Sequence, residues 1–291
     1  MRKVAIVTDS AASIPDEMAQ ELGISVIPMQ IVKDGEAYTL GRDITAAEVY
    51  GALREGMILK TSQPLVPDIV EAYEKALTEA DRVVSIHVSS KLTSTAAACM
   101  MAAEMVDPKR ISVIDSCNLT ILYGLGCIKA ARLALAGSSA DECIAEVESV
   151  VDRIRGWLAV PSLKYLAQSG RVSKVLSTIG TLLSIKLILR MGEGEVHLAD
   201  KYRTSQSGLD KLLDRGLVES GGRAETLCFV HADNLEEARL LSELVLPCIR
   251  CEEHIFTDIG PTIGVHTGPG PVGLAVLPVV PAEDKIAEVL R

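Results

Sequence analysis

Aromatic side chains are scarce in this chain: one Trp, six Tyr and two Phe among 291 residues. Base stacking therefore has few platforms. An apolar pocket must be walled mainly by aliphatic side chains and the eight Met. Basic charge is also in deficit, with 29 Lys and Arg against 39 Asp and Glu and a formal net charge of -10. Neutralising nucleic-acid phosphates needs a basic face, so nucleic-acid partners are not expected. No apolar run is long enough to span a bilayer; the longest, residues 176–189, is interrupted by Lys186. The opening segment, MRKVAIVTDS, has only four apolar residues between its basic start and Asp9, and does not read as a signal peptide. Seven cysteines without a secretory signal are expected to be reduced thiols of a cytoplasmic protein. Cys99, Cys127 and Cys143, within apolar stretches, are expected to be small buried hydrophobes.

What is present is the composition of a globular chain, with 48% hydrophobic and 23% charged residues. The length favours two domains. Apolar runs at 4–8, 24–32, 82–87 and 110–114 read as strands. Helical patterns at 15–22, 67–80, 93–106 and 121–136 alternate with them. Thr45-Ala46-Ala47-Glu48 and Ser139-Ala140-Asp141-Glu142 are capping boxes that open two further helices. Alternation of this kind implies parallel βαβ units. Beyond Gly156 the pattern changes. Strands are expected at 157–160, 186–189, 196–202, 226–231, 254–259 and 272–277, with helices at 162–168, 207–216 and 235–245. The expectation is an α/β protein of two domains. Residues 1–156 form a parallel sheet sandwiched by helices, and residues 157–291 a mixed α/β domain.

In open parallel sheets, ligands bind beyond the carboxyl ends of the strands. Those ends carry Thr8-Asp9-Ser10, the segment from Ser89 to Thr95, and Asp115-Ser116; a further loop carries Lys60-Thr61-Ser62-Gln63-Pro64. These hydroxyl-bearing segments are expected to converge on one edge. The segment from Ser89 to Thr95 also opens a helix, where free N–H groups and the helix dipole favour an anion. His266, in Gly264-Val265-His266-Thr267-Gly268, is expected on a tight loop, partly exposed and able to donate a hydrogen bond to a carboxylate.

Other motifs carry less. Gly268-Pro269-Gly270-Pro271-Val272-Gly273 fits G-x-G-x-x-G literally but precedes a strand and holds two prolines, which excludes the dinucleotide reading. Cys248-Ile249-Arg250-Cys251 has no second ligand pair for a structural zinc. No cofactor or metal is expected. A hydrolase would draw on Ser10, Thr61, Ser89, Thr93 and His266, but no G-x-S-x-G elbow is present.

Taken in order, several segments resemble the DegV family of bacterial lipid-binding proteins along essentially the whole chain. They are Val7-Thr8-Asp9-Ser10, Thr61-Ser62-Gln63-Pro64, the run from Ser89 to Thr95, Asp115-Ser116, Leu163-Lys164-Tyr165-Leu166 with Gly170-Arg171-Val172-Ser173, Lys201-Tyr202-Arg203, and His266 with Gly268-Pro269-Gly270. The resemblance implies one fatty acid held between two domains. Its carboxylate would lie at Thr61 and Thr93, with Ser62 and Ser94 beside them, and at His266. Asp9, Ser10, Ser89 and Gly268 would support the site, and the acyl chain would enter an apolar tunnel in the second domain, to which the 176–189 stretch contributes. The resemblance further implies a carrier without chemistry of its own, which presents its lipid to a separate ATP-dependent fatty acid kinase and carries the acyl phosphate. Arg171 and Arg203 would touch that kinase, and contact with a membrane surface would be transient, for lipid exchange. The alternative is an acyl ester hydrolase or acyltransferase using the same hydroxyls and imidazole. The chain departs from the family's habit at Thr93-Ser94-Thr95, usually Ser-Gly-Thr, at Ser169-Gly170-Arg171, often Gly-Gly-Arg, and at Lys186-Leu187, commonly Lys-Pro.

Overall fold

The computed structural model describes residues 2–172 and 185–280. Strand β1 (Arg2–Asp9) lies between β2 (Ser25–Ile27) and β6 (Ala80–His87), with β7 (Ile111–Asp115) beyond β6. All three pairings are parallel. Helices cover both faces, so both faces must be apolar. Val7 and Val83 pack with Ile69, Tyr73 and Ala102 from helices α3 (Val66–Glu79) and α4 (Thr95–Val106). Val4, Ile6, Val84 and Ile86 point the other way, towards α5 (Ile121–Leu135) and α6 (Ala140–Arg153). Cys99, Cys127 and Cys143 are buried in these layers, as expected.

A short 3-10 turn (Ser10–Ala12) and helix α1 (Asp16–Leu22) connect β1 to β2. Helix α2 (Ala46–Arg54) opens on the Thr45 and Glu48 capping box, and α6 on that of Ser139 and Glu142. The sequence did not anticipate a small antiparallel sheet in the order β4-β3-β5: β3 (Gln30–Lys33), β4 (Glu36–Thr39) and β5 (Lys60–Ser62). Lys60 to Ser62, read as loop, is therefore a strand, with Thr61 registered opposite Ile31.

The second half is built on a six-stranded sheet, ordered β10-β9-β8-β13-β11-β12. Its strands are β8 (Arg155–Val160), β9 (Lys186–Gly192), β10 (Glu195–Tyr202), β11 (Arg223–His231), β12 (Arg250–Asp258) and β13 (Val272–Pro278). Only β11 and β12 run parallel; the other neighbours are antiparallel. Helices α7 (Leu163–Ser169), α8 (Ser205–Ser220), α9 (Leu235–Val245) and α10 (Gly260–Thr267) complete the described elements. Strand β8 starts at Arg155, so the chain enters this sheet two residues before the expected division at 156/157.

The largest apolar cluster crosses between the halves, joining Leu122, Ile128 and Val147 to Val230, Ile259 and Ala275. Glu225 of β11 takes salt bridges from Lys129 and Arg153 at 3.1 Å each. Thr257 Oγ1 donates to the Ser13 carbonyl at 2.6 Å, and Ser13 Oγ to the Ile259 carbonyl at 3.1 Å. Among the described residues, no helix is long and apolar enough to cross a membrane.

Candidate ligand-binding site

A cavity of about 1060 Å³, counting its open mouth, lies where the two halves meet. From the first half its wall takes Ala11, Met29, Thr61, Leu92, Thr93 and the start of α5; from the second it takes Trp157, Leu158, Leu189, Met191, Leu274 and Ala275. Aliphatic side chains dominate, with Trp157 the only Trp, Tyr or Phe in the wall among the described residues. Of the 176–189 stretch, Leu189 lines the cavity, Leu187 and Ile188 are buried in the core, and residues 176–184 lie outside the described residues.

Thr61, Thr93 and His266 all line this cavity. Thr61 sits mid-strand in β5, and Thr93 just ahead of the first turn of α4, at the positive end of that helix. His266 is on the last turn of α10, not on a loop as expected. Pro261 occupies the first turn of that helix, and Gly268 ends it in a conformation with φ +76°. The glycines flanking His266 had suggested an irregular segment.

Thr61 Oγ1 and His266 Nε2 are 2.8 Å apart and share one hydrogen bond, its direction set by the tautomer. His266 Nδ1 is buried without a hydrogen-bond partner among the described residues. Burial strips water from the ring, and the Arg171 guanidinium opposes a second positive charge, so the pKa is pushed down to about 4. The imidazole is therefore neutral near pH 7. If its proton is on Nε2, that N–H donates to Thr61, whose own hydroxyl proton is then free to point at a ligand.

Other expected site residues fall elsewhere. Ser62 is exposed and absent from the cavity wall, because adjacent strand residues face opposite sides. Ser94, the N-cap residue of α4, is also exposed and outside the wall. Ser10 Oγ accepts the Met29 N–H at 3.0 Å and lies 3.4 Å from Thr262 Oγ1, so it braces the wall from behind. Ser89 is fully buried and donates to the Gly194 carbonyl at 2.7 Å, so it is not itself part of the cavity wall. Gly268 has no room for a side chain, because the Tyr165 ring occupies that space. Arg171 lines the cavity as well as being exposed; Arg203 is exposed just beyond β10. Ser173 lies outside the described residues. Among the described residues no group of three or more His, Cys, Asp or Glu is placed to hold a metal ion.

Asp9 does not face the cavity at all. Its carboxylate is fully buried, accepting from Ala11 N and Tyr123 OH on one oxygen and from Val88 N on the other. That second oxygen is also 2.9 Å from His87 Nδ1, while His87 Nε2 lies 2.7 Å from Ser85 Oγ. The order Ser, His, Asp resembles a hydrolase relay, but Ser85, His87 and Asp9 are all wholly inaccessible. The sequence reading missed His87, Met29 and Thr262. The first is hidden inside a strand, and the other two reach the cavity only through tertiary packing.

A family model described as "Uncharacterised protein, DegV family" matches residues 3–279. A DegV domain-containing protein of Caldanaerobacter subterraneus subsp. tengcongensis is 36% identical over 280 residues, covering 94% of this chain and 98% of its own. A Thermus thermophilus structure, described as fatty acid binding of a DegV family protein, superposes with a TM-score of 0.88 at 29% identity, covering 96% of this chain and 100% of that one. DegV from Bacillus subtilis, described as a fatty acid binding protein, gives 0.82 at 29% identity, covering 95% and 100%. With matches running nearly from end to end in sequence and in structure, this chain belongs to the DegV family.

Proposed function

We propose that this protein binds one long-chain fatty acid in the cavity between its halves and presents the carboxylate to a separate ATP-dependent fatty acid kinase. The observation that carries the reading is the cavity wall: aliphatic over most of its area, with Thr61, Thr93 and His266 among its few polar groups. The full-length relatives described as fatty-acid binders support it.

In this reading Thr61 and Thr93 donate hydrogen bonds to the carboxylate, and neutral His266 orients the Thr61 hydroxyl. Arg171 supplies positive charge to the anion. Burying an acyl chain contributes about 0.8 kcal/mol per methylene, roughly 10 kcal/mol for a long chain before ordering costs. Hydrogen bonds to the charged head add about 1.5–3 kcal/mol each. The apolar wall sets affinity and the polar groups set orientation. The kinase step joins a carboxylate oxygen to the γ-phosphorus of ATP and releases ADP. The acyl phosphate stays in the carrier, where exclusion of water slows its hydrolysis.

The Thr61–His266 contact also has the reach of a nucleophile and its base. Two features count against the hydrolase reading. No group orients Nδ1 among the described residues, and an imidazole with a pKa of about 4 is a feeble base near neutrality.

The deciding experiment is to denature the purified protein, extract it with solvent and analyse the extract by mass spectrometry. A near-stoichiometric long-chain fatty acid is the expected result. An empty extract, with no uptake of added palmitate, overturns the reading. Formation of a hydroxylamine-trappable acyl phosphate with ATP and a fatty acid kinase from the same cell then tests the partnership. Turnover of an acyl ester by the protein alone, lost in Thr61→Ala, would establish the hydrolase instead.

A further inference from the structure

Strands β9 and β10 form a hairpin at the edge of the six-stranded sheet. Strand β9 is registered to β8 only from Leu187 to Arg190. Beyond Arg190 the hairpin is no longer paired to β8, which itself continues to Arg155, and its cross-strand partners Met191 and Val196 both line the cavity. This stretch of wall thus lies beyond the β8 ladder that holds the rest of the strand.

The hairpin tip is met by the other half of the molecule. Ser89 Oγ donates to the Gly194 carbonyl at 2.7 Å, and Lys91 Nζ to the Glu193 carbonyl at 2.6 Å. Glu193 and Gly194 form the turn, both with positive φ, at 53° and 78°. A Cβ at Gly194 would lie 2.9 Å from Ser89 Oγ and 3.2 Å from Lys91 Cδ, so the two segments are in close contact. The same N-terminal turn sets the head-group region. The Leu92 and Thr93 N–H groups both donate to the Ser89 carbonyl, and both residues line the cavity.

We infer that Ser89 and Lys91 are positioning residues that latch the β9–β10 tip over the cavity and govern the rate of ligand entry and exit. The ligand's nature rests on the fatty-acid reading above; the latch rests on the hairpin geometry. The same tip would have to move for entry and for exit, so weakening the latch lowers the barrier in both directions. A residue that merely contacts the lipid would change release alone.

The test compares the full chain with Lys91→Met, which keeps the apolar stem and removes the donor, and with Ser89→Ala. Hydrogen exchange of amides 191–196 is followed without ligand, and the rates of palmitate uptake and of release into excess albumin are measured. Lys91→Met is expected to speed uptake and release alike by roughly three- to tenfold, as for loss of one partly exposed hydrogen bond, with Kd held within about twofold. Both variants are expected to exchange amides 191–196 faster than the parent. Unchanged exchange in Lys91→Met, wild-type rates, or faster release with unchanged uptake overturns the latch. Because Lys91 is exposed, Lys91→Met decides the matter even where Ser89→Ala folds poorly. If the parent takes up no palmitate, the fatty-acid reading fails, while the exchange data still decide whether these side chains hold the tip.

Discussion

The 2.8 Å pairing of Thr61 with His266 ties a strand of the first half to a helix of the second at the cavity wall. If Thr61 donates to the carboxylate as proposed, Thr61→Ala is expected to weaken palmitate binding by about 10- to 100-fold, measured by titration, with circular dichroism unchanged. Unaltered affinity would remove Thr61 from the head-group site. His266 is held neutral by burial and by Arg171, with its pKa pushed down to about 4. Palmitate affinity should therefore stay flat between about pH 6 and 8, whereas an ordinary histidine would titrate there. At Gly268 a methyl group would overlap the Tyr165 ring on a backbone with φ +76°. Gly268→Ala is expected to cost about 2–4 kcal/mol in chemical denaturation. At this scale the sequence was informative where chemistry stands in motifs. Thr61, Thr93 and His266 stood out through the motifs that resemble the DegV family. Ser62 and Ser94 look equivalent in the string; strand alternation turns Ser62 away from the wall, and Ser94 is exposed at the N-cap of α4. Met29 and Thr262 carry no local signal, because their place in the wall comes from tertiary packing: Met29 meets Ser10 and Thr95, and Thr262 meets Ser10 from 252 residues away.

Among the elements, those with local chemical punctuation were the most legible. The capping boxes at Thr45 and Ser139 open helices in the structure as they do in the sequence. The three-stranded sheet was invisible because its strands span only three or four residues, too few for a period to show. Helix α10 was disguised by glycines that elsewhere mark turns. One element-level contact carries a prediction. Helices α5 and α6 reach β11 through Lys129 and Arg153, which share the half-buried Glu225. Burial raises the Glu225 pKa, but the Lys129 hydrogen bond and both cations outweigh it and hold the carboxyl below its ordinary value. Glu225→Gln leaves two cations without their partner and is expected to cost about 1–3 kcal/mol, with the loss reduced in high salt. A salt-independent loss of the same size would assign the effect to packing rather than to charge.

For the whole molecule, the α/β class and the change from a parallel to a mixed sheet were readable from strand and helix spacing. The order of the six-stranded sheet was not, since it depends on long-range pairing. Global stability should carry the mark of the buried Asp9–His87 pair. Burial opposes charge on His87, yet the hydrogen bond to Asp9 and the neighbouring Cys99 thiol prevail, and its pKa is pushed up from 6.5 to about 9. A pKa raised in the folded state means stabilisation fully present below 6.5 and lost as pH rises through about 9. Unfolding free energy should therefore fall by about 3 kcal/mol across that window, and His87→Gln should flatten the slope. A parent profile without that fall would mean the pair is neutral. The placement of β13 has a consequence for biosynthesis. This strand, encoded by codons 272–278, is seated between β8 and β11, which are made much earlier. A nascent chain on the ribosome can complete its parallel sheet while the meander β8-β9-β10 and the β11-β12 unit still wait for the strand that joins them. Leu274 and Ala275 are part of the cavity wall, so a growing chain has no enclosed compartment to fill until that segment has emerged.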